Sequence, residues 1–200
     1  MKCLYFRTIC EVGVCLPEDS QFADILDLPC YGKAILVEPS PTFCQVLRER
    51  WPDPRVVVHQ RAVVDGGTRL VEMVNCSATS YVKGIPHCPA MEAGYDHTNK
   101  DDYFRMVNLN PADYPNYMAE GVPFSRLDDG EIDVLAADCE GSEWFILKDM
   151  RSRPCYIRLE TDYPHPYLKE IHQWMAREGY EEIKRQGADT LWKKTWPVDK

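Results

Sequence analysis

Two short apolar runs, each broken off by carboxylates, limit what this chain can fold into. Ala34-Ile35-Leu36-Val37 runs into Glu38-Pro39, and Val134-Leu135-Ala136-Ala137 runs into Asp138-Cys139-Glu140-Gly141-Ser142-Glu143. Runs this short are too brief for a helix. Their lack of alternation indicates strands buried on both faces, as in a parallel sheet covered by helices. In open sheets of that kind, ligands bind beyond the carboxyl ends of the strands. Acids that terminate two such strands therefore point toward a ligand.

The rest of the chain supplies the remaining layers. Thr8-Ile9-Cys10-Glu11-Val12-Gly13-Val14 reads as a first strand and turn, and Val56-Val57-Val58 as a third strand. Cys155-Tyr156-Ile157-Arg158-Leu159-Glu160 reads as the strand that follows 132–137. Asp19 or Ser20 can cap a helix carrying Phe22, Ile25 and Leu26. Ser40 caps another whose first position is Pro41, where a missing N–H costs nothing. A further helix is expected over 142–150. His165-Pro166 opens the last one, with Leu168, Ile171, Trp174 and Met175 inward and Gly179 ending it. Residues 180–185 and 190–194 read as an antiparallel hairpin whose imperfect alternation predicts a bulge. Strands alternating with helices predict an α/β fold with helices on both faces. We expect one domain over 1–200, with a long loop insertion at about 75–122, where prolines and tyrosines accumulate without periodicity.

Charge narrows the partners. With 23 Lys+Arg against 32 Asp+Glu, the formal charge is −9, and no basic cluster exceeds the length of Lys193-Lys194. Neither a nucleic acid nor an anionic membrane is expected as a partner. The 9 cysteines form no C-x-x-C pair, which reads as reduced, mostly structural thiols. Met1-Lys2-Cys3-Leu4-Tyr5-Phe6-Arg7 is too short and interrupted for a signal peptide, so a cytoplasmic location is expected.

Several pieces stand in a recognisable order over residues 8–194: Glu11-Val12-Gly13, Leu36-Val37-Glu38-Pro39-Ser40-Pro41, Val58-His59-Gln60-Arg61-Ala62-Val63, Ser80, Phe124-Ser125-Arg126-Leu127-Asp128, the D-x-E-G-x-E segment 138–143 and Ile157-Arg158-Leu159-Glu160. Together they resemble the FkbM-type branch of class I S-adenosylmethionine-dependent methyltransferases, D-x-E-G-x-E being the most specific piece. The resemblance implies a Rossmann-like, doubly wound, seven-stranded sheet, mostly parallel with a C-terminal antiparallel hairpin. It implies S-adenosyl-L-methionine as cofactor and methyl transfer, typically to a hydroxyl oxygen of a sugar, polyketide or similar small molecule. One departure stands out. The glycine-rich turn after the first strand is reduced to Gly13, with Cys15 and Pro17 where further glycines commonly stand. This leaves open a non-catalytic S-adenosylmethionine-binding module. A nucleotide-dependent oxidoreductase is a third reading, against which the missing G-x-G-x-x-G counts.

Candidate site residues follow. Glu38 can accept hydrogen bonds from both ribose hydroxyls of a nucleoside. Glu11 and Gly13 are expected under the cofactor's amino-acid end, and Gln60, Arg61 and Ala62 at the adenine edge, although Arg61 equally suits a surface charge. Ser80 is the loop residue the resemblance favours. Asp138 is expected to face the methionine portion or the acceptor, as a cofactor-binding and catalytic candidate. Glu140 is a second catalytic candidate. It and Glu143 equally suit a helix start, where the macrodipole favours each carboxylate by about 0.3–1 kcal/mol. His165 is the third, as a base for an acceptor hydroxyl, with His87 and His97 behind it; His59 and His172 read as structural. Tyr81, Tyr95, Tyr103, Tyr114 and Tyr117 could line an acceptor pocket or pack the loop. Glu11, Glu38, Asp138, Glu140 and Glu160 on one edge would repel a pyrophosphate and suit a ligand carrying an ammonium and a sulfonium. Asp138, Glu140 and Glu160 could also hold a divalent metal, a lesser variant; the main reading needs none.

Overall fold

The structure, a computed structural model, describes residues 5–28, 30–76, 79–85, 110–161 and 165–195. In chain order the first half holds β1 (Phe6–Val12), α1 (Ala23–Leu26), β2 (Tyr31–Val37), α2 (Pro41–Arg50), β3 (Val56–His59), β4 (Ala62–Val63), β5 (Arg69–Val74) and β6 (Tyr81–Val82). The second half holds β7 (Tyr117–Val122), β8 (Val134–Ala137), α3 (Glu143–Asp149), β9 (Tyr156–Glu160), α4 (Leu168–Arg177), β10 (Tyr180–Gln186) and β11 (Asp189–Lys194). The main sheet has 7 strands in the order β10-β11-β9-β8-β1-β2-β3. The five strands from β9 to the β3 edge are parallel, and β11 is antiparallel to both β9 and β10.

The apolar runs make this sheet two-faced. Cys10, Val12, Ile35, Val37, Leu135 and Ala137 pack with Phe145 and Ile146 of α3 and Ile171 and Trp174 of α4. Their chain neighbours Ile9, Ala34, Leu36 and Ala136 join Leu26 of α1 and Leu47 of α2 in a second cluster. Successive strand residues point to opposite faces, so only a strand apolar at every position can serve two helical layers. Each Ile, Leu or Val so buried contributes about 1.5–3 kcal/mol.

Local signals act where expected at several ends. Ser40 Oγ accepts the Phe43 N–H at 3.4 Å with Pro41 in the first turn of α2. Gly179 adopts φ +70 after α4, and the β10–β11 register shifts between Glu182 and Lys184. Two expectations change. The last helix starts at Leu168, so His165 lies before it rather than capping it.

The stretch 75–122 is not merely a loop. β6 and β7 pair with β5, and β7 with β4, in a second sheet of order β4-β7-β5-β6. Ala62, Val64, Val71, Met73, Val82 and Ala119 form its core. The partners β5 and β7 are far apart in sequence, so no local turn signal announces their pairing. His87, His97, Tyr95 and Tyr103 lie outside the described residues.

Cys10, Cys15, Cys44 and Cys139 are unoxidised, but Cys30, half-buried just before β2, is disulfide-bonded, which corrects the expectation of reduced thiols at that position. No helix among the described residues is long and apolar enough to cross a membrane.

Candidate functional site

Strand register places the candidate residues. Val12 is paired with Val37 on one side and Ala137 on the other, and Ala137 with Leu159. The next residue in each strand, Gly13, Glu38, Asp138 and Glu160, therefore leaves the sheet at one rim. Gly13 has φ +82, and a Cβ there would sit 1.7 Å from the Asp138 carbonyl oxygen. The β1 and β8 ends approach so closely that only glycine fits.

Glu38 is 5% exposed, yet both carboxylate oxygens are met. Oε1 accepts the Ser40 N–H at 2.8 Å and Oε2 accepts the Cys15 N–H at 3.0 Å. Burial pushes its pKa up to about 7, against the pull of those two amides. Each oxygen keeps a further lone pair, so the carboxylate is oriented without being exhausted. The turn that delivers Cys15 uses φ +57 at that residue. A side chain in this left-handed conformation costs about 1–2 kcal/mol relative to glycine. The depleted glycine turn thus keeps a glycine-like path at Cys15.

Glu11 serves the same turn from behind. Its oxygens accept Ser20 Oγ–H at 2.6 Å and the Gln21 N–H at 2.7 Å, and burial pushes its pKa up to about 7. It fastens the segment after Gly13 and does not line the cleft described below.

The D-x-E-G-x-E segment divides its acids between two tasks. Glu143 is fully buried; Oε1 accepts the Cys139 N–H at 2.8 Å, and Oε2 accepts the Gly141 N–H at 2.9 Å. His165 Nε2 lies 2.9 Å from Oε2, while its Nδ1 accepts the Tyr167 N–H at 3.1 Å. Nδ1 as acceptor puts the proton on Nε2, which donates to Glu143. Burial would raise the Glu143 pKa, but His165 and the amides hold it below the usual value. His165, expected as a base, is corrected to a structural donor: its side chain is 0% exposed and both ring nitrogens are engaged. Asp128, from another motif piece, is likewise structural, accepting the Arg151 and Ser152 N–H groups at 2.6 and 2.8 Å.

Asp138 and Glu140 face the other way. With Glu160 they place carboxylate oxygens within 4.8 Å of one another. Protein around Asp138 withholds water, and Glu143 adds like charge, pushing its pKa to about 6 although the side chain opens to the cleft. Burial, then neighbouring acids, hold Glu140 and Glu160 well above the carboxylate range. Glu160 Oε2 is sealed from solvent with no donor among the described residues.

A narrow cleft, partly open to solvent, brings together Gly13, Glu38, Arg61, Ala62, Ser80 and Asp138. Phe43, Val63, Met73, Tyr81 and Val82 wall it. A second cavity of about 330 Å³ shares Gly13, Cys15 and Asp138 with the first and adds Glu140 and Glu160. Gln60 lines neither; its carbonyl accepts from Arg61 Nη1 at 2.7 Å. Arg61 also pairs with Glu120 at 3.1 Å, both partly exposed, a contact worth about 0–1 kcal/mol. Cys15, Phe43 and Met73 were not anticipated as lining residues. Phe43 reads as core from its helical spacing, and Met73 reaches the cleft only because β5 folds over the sheet.

A doubly wound sheet with a ligand cleft beyond its strand ends, and an acid closing β2, defines a Rossmann-like α/β domain. The family model of the methyltransferase FkbM domain matches residues 11–182, and the chain belongs to that family. Among solved structures, the crystal structure of methyltransferase FkbM from Methylobacillus flagellatus KT is similar, with a TM-score of 0.59 and 16% identity. The match covers 94% of this chain and 43% of that one, so this chain spans less than half of the neighbour's length. At that identity the likeness speaks for the fold. No curated protein matches the chain in sequence.

Proposed function

We propose that the chain is an S-adenosylmethionine-dependent methyltransferase acting on a hydroxyl of a small molecule or sugar. Glu38 carries the reading: a buried strand-end carboxylate, aimed by two backbone amides, with lone pairs left for a ligand in the cleft. Two adjacent ribose hydroxyls suit such an acceptor. Phe43, Ala62, Val63 and Val82 offer apolar walls to an adenine, and side-chain-free Gly13 allows close approach beside Asp138. The acids of the rim favour an ammonium and a sulfonium over a pyrophosphate.

When bound, the donor presents a sulfonium methyl for in-line displacement by an acceptor oxygen. The chain's own task is alignment, which can contribute on the order of 7–11 kcal/mol. It must also take up the hydroxyl proton, a service worth about 10²–10⁴-fold. Asp138 borders both cavities and is the carboxylate best placed to receive that proton, with Glu140 and Glu160 behind it. His165 acts only through Glu143, as a positioning residue.

Calorimetric titration with S-adenosylmethionine tests the reading. The parent should bind, and Glu38→Gln should lose about 1.5–3 kcal/mol, or 10–100-fold. Equal affinity would remove Glu38 from the site and defeat the proposal. Release of S-adenosylhomocysteine with a panel of hydroxyl compounds then separates an enzyme from a binding module.

A further inference from the structure

Strand pairing sets two carboxyl groups side by side at the rim. Ala137 is paired with Leu159, so the next residues, Asp138 and Glu160, leave neighbouring strands together. Their oxygens lie within 4.8 Å of one another, and the two side chains are hydrogen-bonded. An ionised carboxylate only accepts, so two carboxyl groups join in this way only with a proton between them. The charged groups around the pair do not compete for that place. Asp189, paired with Glu160 across β9 and β11, holds the Arg158 guanidinium at 2.6 Å. Glu143 is taken by two amides and His165. Glu140 adds like charge, which favours a proton on its neighbours.

The two ends of the bond are not equivalent. Asp138 is exposed and borders both cavities, whereas Glu160 is partly buried, borders only the second and has Oε2 sealed from solvent. The neutral form belongs on the carboxyl that water reaches less. Burial, then the charges of Glu140 and Asp138, accordingly hold Glu160 further above the carboxylate range than Asp138.

We propose that Glu160 is a positioning residue whose carboxyl O–H donates to Asp138, fixing that carboxylate while leaving its remaining lone pairs for an acceptor hydroxyl. As the bond between acceptor oxygen and methyl carbon forms and the methyl–sulfur bond breaks, the hydroxyl proton passes to Asp138. Glu160 keeps its own. This role rests on the function proposed above; the shared proton does not.

The ligand-free protein tests the pairing. At about pH 8.5, Glu11 and Glu38, which sit at about 7, are ionised. Infrared difference spectra should then show one carboxylic-acid C=O band of the parent lost in Glu160→Gln and shifted in Asp138→Asn, with thermal melts verifying that both variants fold. Identical spectra for the parent and Glu160→Gln overturn the proposal, as does a band that Asp138→Asn leaves unmoved. Release of S-adenosylhomocysteine with hydroxyl compounds tests the role. Glu160→Ala should lower kcat by about 100-fold with little change in KM, and Glu160→Gln, whose amide N–H still donates, should recover at least about tenfold. The parent's rate should fall as pH rises through about 10, where Glu160 gives up its proton, and that of Glu160→Gln should not. Equal rates in the two variants overturn the positioning role. The paired band without donor binding defeats the proposed function alone, and turnover without the band defeats the pairing alone.

Discussion

The rim of the sheet has two acidic halves that begin alike and finish differently. At β2 an apolar run ends in Glu38, whose oxygens both receive backbone N–H groups from the turns around them. At β8 a similar run ends in Asp138, which with Glu140 and Glu160 receives none among the described residues. The following loops explain the contrast. After Glu38, the chain turns so that the Ser40 amide donates back to it. After Asp138, the amides of Cys139 and Gly141 are already taken by Glu143. One half is a finished, oriented acceptor suited to hydroxyl donors. The other has no backbone amide to answer its acids, and Asp138 and Glu160 hydrogen-bond each other instead. An acid at a strand end therefore says where a ligand lies, while the fate of nearby amides says what kind.

The contrast breaks first at Glu143. Glu143→Ala strands two amides and the His165 donor in the interior, and should cost about 3–5 kcal/mol in urea unfolding. With those amides released to Asp138 and Glu140, the distinction between the halves should blur. Gly13→Ala comes next. Its Cβ would overlap the Asp138 carbonyl, 1.7 Å away, and it would need φ +82, so a loss of about 2–4 kcal/mol and abolished donor binding are expected.

A third prediction sharpens the β2 half through pH. Glu11 and Glu38 sit at about 7 in the folded chain against 4.5 when unfolded. A raised carboxylate pKa means the native state holds protons more tightly between those values. The contribution is thus fully present below about pH 4.5 and lost as pH rises through 7, by on the order of 3 kcal/mol for each group. Unfolding midpoints at pH 5 and 7.5 should fall with pH, and Glu38→Gln should flatten the fall. Donor affinity should run the opposite way, because ionised Glu38 is the better acceptor for two hydroxyls. The smallest effect belongs to Cys15→Gly. Relief of the left-handed conformation and greater freedom of the unfolded chain oppose each other, so stability should move by less than about 1 kcal/mol, with donor affinity unchanged.

Legibility followed physical locality. Runs apolar at every position announced the parallel strands, Ser40-Pro41 announced a helix start, and the final hairpin with its bulge was readable from its turn. Such signals are written within a few residues. The second sheet was illegible because β5 finds β7 across residues 75–116, and no short window contains both partners. His165 misled for a related reason. A histidine beside a helix start looks available, and only the return of the chain past the 138–143 loop brings it to Glu143.

Taken alone, the sequence determined the layered α/β plan and the acids at the ends of its strands, because burial on both faces demands unbroken apolarity and the chain must turn polar where the sheet stops. Tertiary structure decided which acids are answered. Glu11, Glu38 and Glu143 meet backbone amides and, among the described residues, Asp138, Glu140 and Glu160 do not, since a hydrogen bond depends on where an amide points after the loops have closed, and that direction is settled only when distant strands pair.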